Sequence, residues 1–333
     1  MARLVITGGT GRLGRALLSN NTVLQRFEKI VVLSRNLYEY PEIESTFPEV
    51  KFLQCDLQNS DELSTFIKQG DLVIHAAGES NLDYAENNSS SVIQNSLRTS
   101  ISLIEVAKKN NASKVLFVSS VKACKPTSVY GAGKMMLEKL YSSEPYGSDD
   151  VHFVVVRLGS LIGSGQNVLN IWKNLAASGS PILLSHSAMT RYFMRMEDAC
   201  NLIMDALYEG STGDIYVPRL RSFRLIDLAR YISDKQEILI TGLKSGEKIH
   251  DDLLSIEEVF CAKLYNSIFI INTRVKNDDF SSLNYEELSE VINGITSAFM
   301  PVNNQVLKKF EFDQSGKFLI SDHEIKSYLT NSY

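Results

Sequence analysis

LVITGGTGRLGRALL, residues 4–18, is the stretch on which the reading of this chain turns. Leu4 to Thr7 form a short apolar run, glycines stand at 8, 11 and 14, and a helical pattern begins near Arg12. A tight turn after a strand needs positive φ, and a pyrophosphate needs the backbone to come close, so glycines at these points meet both demands. The helix that follows offers N–H groups and the positive end of its dipole. A glycine triplet on its own is a weak signal, but at the first strand-to-helix turn of an N-terminal βαβ unit it points to nucleotide binding.

Outward from this loop the pattern repeats. Apolar, β-branched runs at 29–34, 51–54, 72–75, 114–119 and 152–158 alternate with stretches such as 89–110 and 130–142, whose apolar residues recur every three or four positions. Six short strands separated by helices indicate an α/β, Rossmann-type doubly wound parallel sheet. After Gly163 the order is mixed: 191–208 reads as one more sheet-side helix and 215–218 as a short strand. Two partly interleaved domains are therefore expected. The first is a dinucleotide-binding domain over 1–163 and about 191–218; the second is a smaller C-terminal substrate domain over 164–190 and about 219–333. The stretch 272–304, rich in Asn, Asp and Ser, reads as a surface helix with loops.

A chain of 333 residues that is 44% hydrophobic can bury a sizeable core. Its net charge of −5, without any long basic run, argues against nucleic acid or a membrane surface as partner. Cys55, Cys124, Cys200 and Cys261 lie apart without CxxC spacing, so neither a zinc site nor a disulfide framework is indicated. The opening MARLVITGGTG is too Gly-rich for a secretory segment, and no apolar run of about 18 residues follows. The expectation is a soluble, cytoplasmic protein that assembles as a homo-oligomer.

The second strand ends in VVLSRN, where an NAD site usually carries an acidic residue for the ribose 2′-hydroxyl. Ser34 and Arg35 stand there instead, and a guanidinium can grip a 2′-phosphate, so NADP is the expected cofactor. Thr7, Gly8, Gly11, Arg12, Leu13 and Gly14 would form its cradle. Asp56 and Leu57 after the third strand, and Ala76, Ala77 and Gly78 after the fourth, stand at the strand ends that border the crevice.

With 14 tyrosines, about one Tyr-x-x-x-Lys is expected by chance, so the setting of Tyr130-Gly-Ala-Gly-Lys134 matters more than the motif. It opens a helix ten residues after a strand that ends in Ser119 and Ser120. Residues four apart share a helical face, so the Lys134 ammonium is expected to lower the pKa of the Tyr130 phenol. Tyr130 could then exchange a proton with a sugar hydroxyl, with Ser120 bonded to the same oxygen. Tyr130 and Lys134 would also touch the cofactor.

SSVKACKPTSVYGAGKMMLEKL, residues 119–140, resembles the Ser-Thr-Asp-Lys-Ala…Tyr-Gly-Ala-x-Lys segment of inverting UDP-N-acetylglucosamine 4,6-dehydratases. These are extended short-chain dehydrogenases of polysaccharide and glycan biosynthesis. RLGSLIGSGQNV, MTRYFMRMEDA, GDIYVPRLRSFRLIDLA and GLKSGEKIHDDLLS carry the likeness through most of residues 1–255. The resemblance implies an NADP-dependent enzyme acting on a UDP-sugar. Tyr130 would be the base at C4, Lys134 its partner, Ser120 the position of the motif's Thr, and Lys122 the base at C5.

The family places Asp immediately before that Lys, to protonate the departing hydroxyl; here the residue is Val121. Beside dehydration, two related reactions therefore stay open, reduction of a 4-keto sugar and 4-epimerisation, as does a non-catalytic NADP-binding role. Glu79 and Asp83, in a loop that also departs from the family, are candidate substitute acids. On the substrate side, Arg191, Lys244 and Lys248 match blocks that line the family's sugar-nucleotide pocket, and Asn167 and Val168 could meet the uridine. His75 and His250 lack companions at ligand spacing, so they read as structural residues and no metal is expected.

Overall fold

The computed structural model describes residues 2–39, 41–143, 151–162, 167–259 and 261–272, which form two compact units. The first takes the chain up to Arg157 together with Glu197–Tyr216 and Asn272; the second takes Leu158–Met196 and Val217–Ile271. The boundary expected after Gly163 falls among residues outside this described set; the second unit begins at Leu158.

Along the chain, the strands β1 (Arg3–Thr7), β2 (Lys29–Ser34), β3 (Val50–Gln54), β4 (Leu72–His75), β5 (Lys114–Ser120) and β6 (His152–Leu158) come first. Between them run α1 (Arg12–Leu18), the single turns α2 (Asn21–Leu24) and α3 (Ile43–Thr46), then α4 (Ser60–Phe66), α5 (Leu82–Asn87), α6 (Ser89–Lys109) and α7 (Val129–Ser143). Then follow β7 (Ser160–Ile162), α8 (Val168–Ala177), β8 (Ile182–Leu184), β9 (Thr190–Arg195), α9 (Met196–Glu209) and β10 (Asp214–Pro218). The last elements are β11 (Ser222–Arg224), α10 (Leu225–Ile232), β12 (Ile238–Ile240), α11 (Ile256–Val259), β13 (Ala262–Tyr265) and β14 (Ile268–Asn272).

In the first unit the strand order is β10-β6-β5-β4-β1-β2-β3, and the pairs β1–β2, β1–β4, β2–β3, β4–β5 and β6–β10 are parallel. Central strands covered on both faces must be apolar throughout, and Leu4, Val5, Ile6, Val73, Ile74, Val115, Leu116 and Phe117 are all fully buried. The strand order reverses between β1 and β4, the switch point at which doubly wound sheets bind ligands beyond their carboxyl ends. There Thr7 pairs with His75 in register, and the Thr7 hydroxyl lies 2.7 Å from His75 Nδ1.

The second unit gathers the sheets β11-β9-β7 and β12-β8 around Trp172, Phe193 and Phe223. It corrects one reading: 191–208 is not a single helix. Thr190–Arg195 is the central strand of three, paired with Ser160–Ile162 and Ser222–Arg224, and the helix starts only at Met196. Thr, Tyr and Phe favour a pleated, buried surface, while Glu197 and Asp198 suit a helix's first turn. Of the stretch 272–304, only Asn272 lies within the described residues.

The glycine loop yields a stability test. A Cβ on Gly14 would fall 2.3 Å from Gly9 Cα, whereas one on Gly133 would meet nothing within 4 Å. Gly14→Ala is therefore expected to lose about 1–3 kcal/mol in urea denaturation, and Gly133→Ala to gain up to about 1 kcal/mol as a helix-interior alanine. Equal stability of the Gly14 variant and the parent would contradict this packing.

Candidate active site

Each glycine of the loop has its own steric reason. Gly8 adopts φ +72, and a Cβ there would lie 2.6 Å from Ala77 N, so this turn and the loop after β4 approach only because glycine stands at 8. Gly11 precedes α1 without any side-chain cap. Gly9, which the sequence reading passed over, lies against Val32, where a Cβ would come within 2.6 Å of Cγ1. A cradle that side chains would fill fits a dinucleotide phosphate backbone.

The other expected cofactor residues border the same strand ends. Arg12 is exposed, Leu13 half-buried, and the Ser34 hydroxyl lies 3.2 Å from that of Thr10. Arg35 is exposed at the end of β2, as is Asp56 after β3, while Leu57 is buried. Thr7 is fully buried with its hydroxyl on His75, so it braces the frame of the site. Ala76 N donates to Thr7 O at 3.1 Å and Ala77 N to Thr7 Oγ1 at 3.4 Å. Gly78, next in line, would place a Cβ 3.9 Å from Lys134 Nζ.

Tyr130 and Lys134 are set by the start of α7. Ser128 Oγ accepts from Gly131 N at 3.1 Å, and Glu86 of α5 accepts from Val129 N at 2.5 Å, so two side chains satisfy the helix's first donors. A Cβ on Gly131 would fall 2.4 Å from Lys122 O; glycine lets the helix rest on the turn 121–123. Ser120 acts on the Tyr130 phenol, opposing the upward push of burial on its pKa, and Ser120 Oγ accepts from Lys122 N at 3.3 Å. Lys134 donates to Val118 O at 2.8 Å, with Nζ 4.7 Å from the Phe117 ring centre and 5.9 Å from that of Tyr130. One turn further, Glu138 forms a buried, two-point ion pair with Arg157 of β6 at 2.7 and 3.0 Å.

Burial dominates the electrostatics. It pushes Lys134 down to about 8, against the opposing charge of Glu138. His75, beneath the site, is pushed to about 3 by burial and by the Lys134 charge, and so stays neutral. The Tyr130 phenol is pushed up by burial, against the Ser120 hydrogen bond, and further up by the charge of Glu79. This corrects the expectation that Lys134 lowers it: the ammonium donates to the Val118 carbonyl, and burial decides the direction of the phenol's shift.

Glu79, Tyr130, Gly133 and Lys134 line one cleft with His75. Lys122 is not among the residues lining it, and Val121 is 1% exposed, packed into the core. Within the described residues, no group of His, Cys, Asp and Glu could hold a metal ion. No described helix is long and apolar enough to cross a membrane.

The expected substrate residues lie in the second unit. Asn167 caps α8 by accepting from Asn170 N at 2.9 Å, with Val168 next to it. The Arg191 guanidinium donates to the carbonyls of Thr190, Ile249 and Lys248 and faces buried Asp251 at 3.6 Å. It thus ties the loop 247–251 to β9. His250 meets Thr190 Oγ1 at 2.9 Å, Lys248 pairs with Asp252 at 2.8 Å, and Lys244 is exposed.

Residues 4–273 match the model of a family described as polysaccharide biosynthesis protein. The chain belongs to this family. An inverting UDP-N-acetylglucosamine 4,6-dehydratase of Campylobacter jejuni is 27% identical over 84% of this chain and 86% of its own length. A UDP-glucose 4-epimerase of Rickettsia canadensis is 28% identical over 77% and 78%. Among solved structures, Pen from Bacillus thuringiensis superposes with a TM-score of 0.77 at 27% identity, covering 83% of this chain and 88% of that one. The family matches the resemblance drawn from the motifs.

Sequence reasoning missed Ser128, Glu86 and the Glu138–Arg157 pair. Ser128 was findable, as a cap residue just before a helical pattern. Glu86 and Arg157 were not, since their partners lie 43 and 19 residues away.

The depressed Lys134 pKa makes a pH test. The folded chain holds this proton less tightly than the unfolded one, so Lys134 costs stability fully below pH 8, and the cost disappears as pH rises toward the ordinary lysine value. The melting temperature of Lys134→Met relative to the parent should therefore fall between pH 7 and pH 10. A pH-independent difference would contradict the buried ammonium.

Proposed function

We propose that this chain is a nicotinamide-dependent enzyme that oxidises or reduces C4 of a nucleotide sugar, with UDP-N-acetylglucosamine 4,6-dehydratase-like chemistry as its first candidate reaction. The observation that carries this reading is the convergence of the Ser120 hydroxyl, the Tyr130 phenol and the Lys134 ammonium beside a glycine-lined strand end. When bound, the dinucleotide supplies the acceptor or donor of hydride. Tyr130 exchanges the proton of the C4 oxygen, and Ser120 holds that oxygen in line. Lys134 and the backbone at 8–14 and 76–78 would hold the cofactor, with Arg35 on a 2′-phosphate favouring NADP. Lys244, Lys248, Arg191, Asn167 and Val168 are proposed to recognise the UDP part.

Dehydration further requires a base at C5, for which Lys122 is proposed, and an acid at C6. A buried valine at 121 favours a second reading, reduction or epimerisation at C4 without elimination. Incubation with UDP-N-acetylglucosamine and NADP, followed by mass spectrometry and NMR, separates the two: loss of one water means dehydration, and an unchanged mass with a new C4 configuration means epimerisation. Tyr130→Phe should lower either rate at least about 100-fold with cofactor affinity unchanged, and Arg35→Ala should weaken NADP more than NAD. Retention of more than about a tenth of the parent rate in Tyr130→Phe would remove Tyr130 from the mechanism.

A further inference from the structure

Among the described glycines, Gly133 is the one that the protein's own packing does not explain. Every other one either adopts positive φ, as Gly8 and Gly70 do, or would carry a Cβ 3.2 Å or less from a neighbouring atom, as Gly14 and Gly131 would. Gly133 lies inside α7 without positive φ, and a Cβ there would meet nothing within 4 Å. A glycine in a helix interior destabilises the chain relative to alanine, because its backbone loses more freedom on folding. A destabilising residue with no steric reason inside the chain points to a molecule from outside it.

The open space belongs to the active-site cleft, since Gly133 lines that cleft together with Tyr130 and Lys134. None of residues 8–14 lines it, so the phosphate cradle of the dinucleotide is elsewhere. Val92 and Ile93 of α6 and Val129 of α7 give the cleft an apolar wall, and Ser96 and Glu79 add a hydroxyl and a carboxylate. Glu79 is held there, its Oε1 accepting from the backbone N–H groups of Ser80 at 2.8 Å and Asn81 at 2.7 Å. Sites of this kind bind through apolar contact and fix orientation with a few polar groups. An acylamino group matches the lining: it brings a methyl for the apolar wall, an N–H for a carboxylate and a carbonyl oxygen for a hydroxyl. A bare sugar hydroxyl brings no apolar surface.

We propose that Gly133 is a specificity-determining residue, which leaves room beside Tyr130 and Lys134 for the acylamino substituent of a nucleotide sugar. The inference rests on the proposed C4 chemistry and narrows its substrate class to N-acylated sugars over plain hexoses. Alanine at 133 would put a methyl into the space that the substituent takes, and valine would fill more of it. Neither residue is worse than glycine in a helix interior, so both variants should fold.

The test is calorimetric binding at saturating NADP, with UDP-N-acetylglucosamine, UDP-glucose and UDP as ligands of the parent, Gly133→Ala and Gly133→Val. The parent should hold the acylated sugar more tightly than the plain one. Gly133→Ala should weaken UDP-N-acetylglucosamine by about 10-fold and Gly133→Val by more. Affinities for UDP-glucose, UDP and NADP should stay at the parent values, and Gly133→Ala should melt no lower than the parent. Unchanged affinity for UDP-N-acetylglucosamine in Gly133→Val would overturn the proposal. So would an equal loss for UDP-glucose, which means a general block, or a loss of NADP affinity, which assigns the space to the dinucleotide. Turnover is measured separately: binding as expected with no product from any sugar would defeat the proposed reaction and leave the role of Gly133 standing.

Discussion

Everything chemical in this chain depends on where α7 sits. A phenol and an ammonium four residues apart are useful only if the helix that carries them is fixed against the end of β5. Three constraints fix it. Its first N–H groups are taken by Ser128 and Glu86, its third residue is a glycine pressed on the Lys122 carbonyl, and its third turn is bound to β6 through Glu138 and Arg157. A buried ion pair is weak evidence of net stability, but breaking one strands a charge in the core, commonly at about 3–5 kcal/mol. The pair therefore penalises any other seating of the helix.

The same burial that rigidifies the site sets its proton chemistry. Lys134, Tyr130 and His75 are all driven toward their neutral forms by the loss of water, and local partners decide how far each one moves. The histidine is bracketed by the hydroxyls of Thr7 and Ser100 and packed against Phe117 and Tyr141, so it serves as an uncharged floor. The lysine keeps a proton only loosely. Active sites commonly collect such perturbed groups, because a poised acid or base must differ from its free form.

Much of this was legible in the primary structure. The glycine loop, the alternation of strands and helices and the Tyr130–Lys134 pair all rest on local spacing, which a single sequence displays. What escaped it depends on distant residues or on competition between forces. The strand at Thr190–Arg195 reads as helix until its two neighbours are known. The direction of the Tyr130 shift was missed because helical proximity to Lys134 says nothing about burial, or about a carbonyl that captures the ammonium. The charged residues expected on the substrate side show the same limit: Arg191 has a guanidinium that fits a diphosphate, yet its partners here are three carbonyls and the carboxylates of Asp251 and Glu247.

The central claim is that Tyr130, Ser120 and Lys134 form a centre for hydrogen transfer at a sugar carbon. The most direct measurement traces the hydrogen itself. Reduced NADP carrying deuterium at the transferable position is supplied with a 4-keto nucleotide sugar, and the sugar is examined by mass spectrometry and NMR. Label at C4 in the parent, and none with Tyr130→Phe, is the predicted result. Tight binding of the dinucleotide with no label entering any position of the sugar would contradict the account.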